Sequence, residues 1–129
     1  MENVKSINPQ SPIIKHPPRR ANQMLAFGKK YPCGMILGIP ANFTGSHTAA
    51  VADVWSASNP IPVGIIADYG GKDLTNETAN KLAIIGVGEI ELDYDEAVKL
   101  NPYLATIPGV MNAPLDQRFT LIHITKRVK

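Results

Sequence analysis

The residues able to do chemistry in this chain are few and scattered. Asp93, Asp95 and Glu96 stand close enough in sequence to hold Ca2+ or Mg2+, but the calcium loop of that kind needs a sharp-turn glycine and a distal glutamate, and both are missing. Acids crowding the first turn of a short helix account for the cluster, because they complement the positive end of the helix dipole. Gly86-Val87-Gly88 resembles the start of a dinucleotide cradle. Position 91 is Glu rather than Gly, however, and no helix is expected to begin there, so the phosphate-binding mechanism lacks both its parts. There is no Walker-type sequence and no Gly-x-Ser-x-Gly elbow. Ser46, His47 and Asp53 are the residue types of a nucleophilic grouping with no spacing that fixes a geometry, and His16 and His123 are isolated. Cys33, the single cysteine, excludes an intramolecular disulfide and a multi-cysteine zinc site. It lies between Pro32 and Gly34 with no activating neighbour and reads as a packed thiol. Asn42-Phe43-Thr44 and Asn76-Glu77-Thr78 match the glycosylation pattern; with no charged-then-apolar signal at the front, chance is the expected source of both. No catalytic residue, cofactor or metal site is assigned, and an enzyme is not expected.

The chemistry that remains is charge. Net charge is +2, but residues 1–30 hold six bases (Lys5, Lys15, Arg19, Arg20, Lys29, Lys30) against Glu2 alone. The tail holds Arg118, Lys126, Arg127 and Lys129 with no acid, while residues 31–117 set ten acids against Lys72, Lys81 and Lys99. Both ends are therefore attracted to the middle of the same chain or of a neighbour. Pro9, Pro12, Pro17 and Pro18 keep the front from forming a helix or a central strand. Residues 1–30 are accordingly expected to be an extended basic arm that orders against another surface, and residues 31–129 a β-rich body with a short basic tail. Lys15, Arg19, Arg20, Lys29 and Lys30 are the candidate partner-binding residues of that arm. Nucleic acid is not the expected partner: phosphates attract Lys15, His16, Arg19 and Arg20, but Phe27 is the one aromatic before Tyr31 able to stack a base. The apolar stretches are too short to span a membrane, and an intracellular-type product without a membrane partner is expected.

Positioning these residues falls to strands. The 129 residues suggest one domain; eleven prolines, ten glycines and an apolar share of 44% favour a mainly β fold, a small barrel or sandwich with one or two short helices. Strands are predicted at Met35–Ile39, at Thr48–Trp55, and within Asn59–Tyr69 with Pro60 and Pro62 at its start. Two more are predicted at Lys81–Asp93 and Phe119–Thr125. In Lys81–Asp93 a solid apolar run gives way to alternation, with Ile90 and Leu92 opposite Glu89 and Glu91, and Gly86 and Gly88 mark a bend such as a barrel corner. Two turns of helix are predicted over Arg19–Phe27, ended by Gly28, and another short helix over Asp95–Leu100. Asn3–Ile7 and Ile13–Lys15, between the prolines, could add as strands to a partner's sheet edge.

The order "IPVGII" (Ile61–Ile66), a polar excursion, "AIIGVGEIELD" (Ala83–Asp93), the turn at Asn101-Pro102-Tyr103-Leu104 and the terminal strand Phe119–Thr125 resembles the capsid decoration (cement) and head-fibre base proteins of tailed bacteriophages. The resemblance covers about half the chain, Ile61–Thr125, and carries no catalytic residue. It implies a structural virion protein, present as a homo-oligomer or in many copies on a lattice, that binds the major capsid protein or another virion protein. The basic arm and the DEAVKL turn depart from that family's pattern. A small β-barrel enzyme or ligand-binding domain, and an accessory nucleic-acid binder using the arm, are the other readings.

Overall fold

The computed structural model describes residues 11–43, 50–117 and 120–126. In chain order the strands are β1 (Ile13–Lys15), β2 (Arg19–Leu25), β3 (Lys30–Tyr31), β4 (Ile36–Ile39), β5 (Val51–Val54), β6 (Ile61–Ile65), β7 (Lys72–Asp73) and β8 (Lys81–Asp93). Helix α1 (Tyr94–Leu100) and a 3-10 turn (Pro102–Thr106) follow, then β9 (Leu115–Gln117) and β10 (Thr120–Thr125). The fold is mainly β, with 44% of residues in strands and 11% in helix, and its centre is a closed five-stranded barrel.

The barrel runs β2-β5-β4-β6-β8 and closes because β8 returns to β2. That closing ladder is antiparallel over seven residue pairs, from Arg19 opposite Val87 to Leu25 opposite Lys81. β2 meets β5 in parallel, Met24 opposite Val51, and β4 is antiparallel to both β5 and β6. The β4–β6 register slips between Leu37 and Gly38, where β6 carries Pro62. A proline cannot donate to the ladder, so an irregularity at this point is the expected accommodation.

β8 is long enough to serve two sheets. Beyond Gly88 it leaves the barrel and pairs in parallel with β10, from Thr120 opposite Gly88 to Thr125 opposite Asp93. β9 is antiparallel to β10, and β1 takes the other edge, Ile13 opposite Leu92. Alternation along β8 thus feeds two cores. Ile85 and Val87 point into the barrel with Leu25, Leu37 and Val63, while Ile90 and Leu92 join Ile122, Ile124 and Ile13 beneath α1 and the 3-10 turn. β4 sits between the cores, which explains why all four of its residues are buried: Leu37 and Ile39 face the barrel and Ile36 the second core. Asn101, fully buried, fixes α1 to the barrel. Its Oδ1 accepts from the Ile36 N–H at 2.7 Å, and its Nδ2 donates to the Gly34 and Ala97 carbonyls.

The front of the chain is where expectation and structure part. Residues 1–10 lie outside the described residues, as do 44–49, so the Ser46–His47 part of the nucleophilic grouping and the Asn3–Ile7 strand are not described. Residues 11–30 are not an arm beside a body that begins at Tyr31; they are part of the body. Arg19–Leu25 is the strand β2 rather than a helix, and Leu25 (0% exposed) and Ile13 (5%) are core residues. Two isolated helical turns are marginal, whereas the ladder to β8 offers seven pairs and the burial of Leu25, which contributes about 1.5–3 kcal/mol. Ile13–Lys15 does add as a strand to a sheet edge, but to the edge of its own β8.

The prolines act as packing pieces at the strand starts. The Pro12 ring lies against the bare Cα of Gly34, Pro17 against Gly86, and Pro18 against Gly88, where a Cβ would come within 2.9 Å of the ring. Gly88 also needs its φ of +97° for β8 to turn out of the barrel. The glycine pair that resembled a phosphate cradle is the floor on which the double proline rests. A methyl group at position 86 would drive into Pro17, so Gly86→Ala should lower stability by about 1–3 kcal/mol in urea unfolding. Gly70→Ala, in open space, should stay within about 0.5 kcal/mol. Equal effects of the two would refute this packing.

Candidate functional site

Three of the five cations assigned to partner binding are held by acids of this chain. Lys15 Nζ lies 3.4 Å from Glu89, Arg20 lies 3.4 Å from Asp68, and Lys29 Nζ lies 2.7 Å from Asp53. Lys30 is opposite Asp73 in the β3–β7 pair and helps to lower that carboxyl's pKa. Arg19 stands exposed at the start of β2. Of the basic tail, Arg118, Arg127 and Lys129 lie outside the described residues; Lys126 pairs with Asp95, and His123 with Glu89. Among the described residues, bases from both ends thus meet acids of the middle within one chain.

These pairs are largely exposed, and such pairs contribute about 0–1 kcal/mol each, so they orient the front of the chain rather than hold it. Holding is left to the β2–β8 ladder and the buried apolar residues. The acids respond nonetheless. Asp68 is pulled below the usual carboxylate range first by its hydrogen bond and charge contact with Lys72 (2.6 Å), then by Arg20. Glu89 is lowered first by Lys15 and then by His123, and Asp73 chiefly by hydrogen bonds from Thr75.

The other candidates resolve structurally. Asp93 is the N-cap of α1: its side chain accepts from the Glu96 N–H at 3.2 Å, while Asp95 and Glu96 pair with Lys126 and Lys99. Among the described residues no three His, Cys, Asp or Glu gather where they could hold a metal. Cys33 is half-buried against the second core, and desolvation, with a smaller push from Asp68, raises its thiol pKa, the opposite of what a nucleophile needs. Tyr31, fully buried, donates its hydroxyl to the Ala26 carbonyl at 2.6 Å, and burial followed by the nearby Asp53 pushes its pKa upward.

Two surfaces emerge that the linear sequence hid. One is a groove of about 250 Å3 between the 3-10 turn, β6 and β9. Trp55 and Tyr103 meet edge to face in its wall at 4.8 Å between ring centroids, and Pro60, Pro62, Ile107, Pro114 and Leu115 complete it. The Trp55 indole N–H is already satisfied by the Pro60 carbonyl at 2.9 Å, so the groove offers shape and apolar surface rather than a reactive group. The other is the outer face of the barrel. The apolar run that opens β8 leaves Leu82 59% and Ile84 49% exposed. Met24 and Val51 lie level with Leu82 on the adjoining strands, and Val51 is 39% exposed. Period-2 alternation within the run was the one available signal, masked because both of its faces are apolar. A third contact, His16 edge-on to the exposed Tyr69 at 6.4 Å, brings an aromatic to the basic front that sequence order did not.

No family model matches the chain, and neither a curated protein nor a solved structure matches it at a significant level. Its class is therefore defined by its own geometry, a five-stranded barrel fused through β8 to a second sheet.

Carboxylates held low in the folded state stabilise it fully above their unfolded pKa of about 4, and that contribution is lost as pH falls through the folded value. The melting temperature should accordingly stay level from neutral pH to about 5 and drop below about 4. Asp68→Asn should soften the drop, because it removes one such group. A melting temperature that rises on acidification would contradict the assigned pairs.

Proposed function

We propose that this chain is a structural virion protein of the capsid-decoration type, which binds the capsid surface as a preformed unit in many copies. The observation that carries the reading is the outer barrel face. Val51, Met24 and Leu82 form an apolar row across three adjacent strands, with Ile84 beside it on β8. The barrel has no open edge there, so a partner must cover this face by side-chain packing rather than by strand addition. The carboxylates of Glu89, Asp68, Asp53 and Asp93 support the same reading, since the first three lie in ion pairs and the fourth caps α1. Residues 11–30 cannot at once complete the barrel and lie extended across a capsid, so docking falls to the folded surface, and a lattice of copies multiplies a weak single contact. The groove beside Trp55 favours a second reading, a small ligand-binding domain, although its 250 Å3 is below the roughly 300–1,000 Å3 usual for ligand pockets.

Produced together with the head proteins of its virus, the chain should sediment with assembled heads, and Leu82→Asp with Ile84→Asp should return it to the top of the gradient while leaving its melting temperature near that of the parent. Wild-type protein found wholly unbound would overturn the proposal.

A further inference from the structure

The Trp55–Tyr103 groove is walled by two aromatics, three prolines, an isoleucine and a leucine, and it lies beside β9, an edge strand of the second sheet. Walls of this kind receive extended, proline-containing chain, because such segments lose little conformational entropy when they dock. The sequence supplies one. Met1, Val4 and Ile7 recur at every third position and Pro9 follows. A polyproline II segment has three residues per turn, which would align those three apolar side chains along one side.

Geometry restricts which copy could provide it. The described chain enters at Ser11. Pro12 is fixed beside the body, its ring on Gly34 and its carbonyl accepting the Asp93 N–H at 2.7 Å. β1, which follows, and β9 are the opposite edges of the sheet β1-β8-β10-β9, three strand spacings or about 14 Å apart. Nine extended residues reach about 30 Å, so the groove is within range of the chain's own front. A short tether also gives a local concentration of about millimolar, which a second copy reaches only when it is already bound.

We propose that the groove binds residues 1–9 of the same chain, with Met1, Val4 and Ile7 turned toward Trp55 and Tyr103. This assignment is independent of the capsid reading. It makes the groove an intramolecular site rather than a ligand pocket.

Trp55 is the single tryptophan, so its indole N–H gives one isolated NMR signal. The Cys33 thiol is slowed by burial, and a nitroxide can be placed on Ser6→Cys in the full chain. The label should erase the Trp55 indole signal and spare the amides of Leu82 and Ile84, and Tyr103→Ala should restore the lost signal. Persistence of the indole signal overturns the proposal, as does equal loss at Leu82 and Ile84. A 15N chain mixed with labelled unenriched chain should keep its indole signal; loss there would assign the groove to a second copy and also overturn the proposal.

Discussion

The structure depends on one ladder, the antiparallel pairing of β2 with β8 that converts an open sheet into a barrel. Without β2, β5 and β8 would each present an unpaired edge, and the interior around Leu25, Leu37 and Val63 would open to water. The glycines of β8 make the ladder possible from the other side. Pro17 and Pro18 must cross β8 closely just before β2 begins, and only residues without a Cβ at 86 and 88 leave room. A motif that resembled ligand chemistry is therefore backbone clearance, and the same residues let β8 turn out of the barrel into the second sheet.

Much of this was legible locally. The alternation of Ile90 and Leu92 with Glu89 and Glu91 marked a half-exposed strand, the acids at 93–96 marked a helix start, and the glycines marked a bend at a barrel corner. Each signal lies within a few residues of its consequence. Arg19–Leu25 was illegible for the opposite reason: its partner lies some sixty residues away, and local propensity favoured a short helix that tertiary pairing outweighs. The prolines misled similarly. They do stop helix and strand at their own positions, yet strands begin at the residues directly after Pro12 and Pro18. The groove was hidden because Trp55, Tyr103 and Leu115 come from three separate stretches of chain.

Charge asymmetry was read correctly in kind but left open in destination. Opposite charges at the ends and the middle attract whether or not a partner exists, and one sequence cannot distinguish a cis contact from a trans one. In the fold Lys15, Arg20 and Lys29 meet Glu89, Asp68 and Asp53 of the same chain, while Arg19 stays exposed at the start of β2. Among the described residues the fold also exposes an apolar row on β2, β5 and β8. The basic residues from Lys15 to Lys29 are thus tied to the body that they were expected to leave.

The most direct measurement of the account is native-state hydrogen exchange across β2. If β2 closes the barrel, the amides of residues 19–25 that pair with β8 exchange only through global unfolding, with the same free energy as those of β4 and β6. Exchange of those amides at the rate of an unstructured chain, while β4 and β6 remain protected, would mean that the front of the molecule is a separate arm after all.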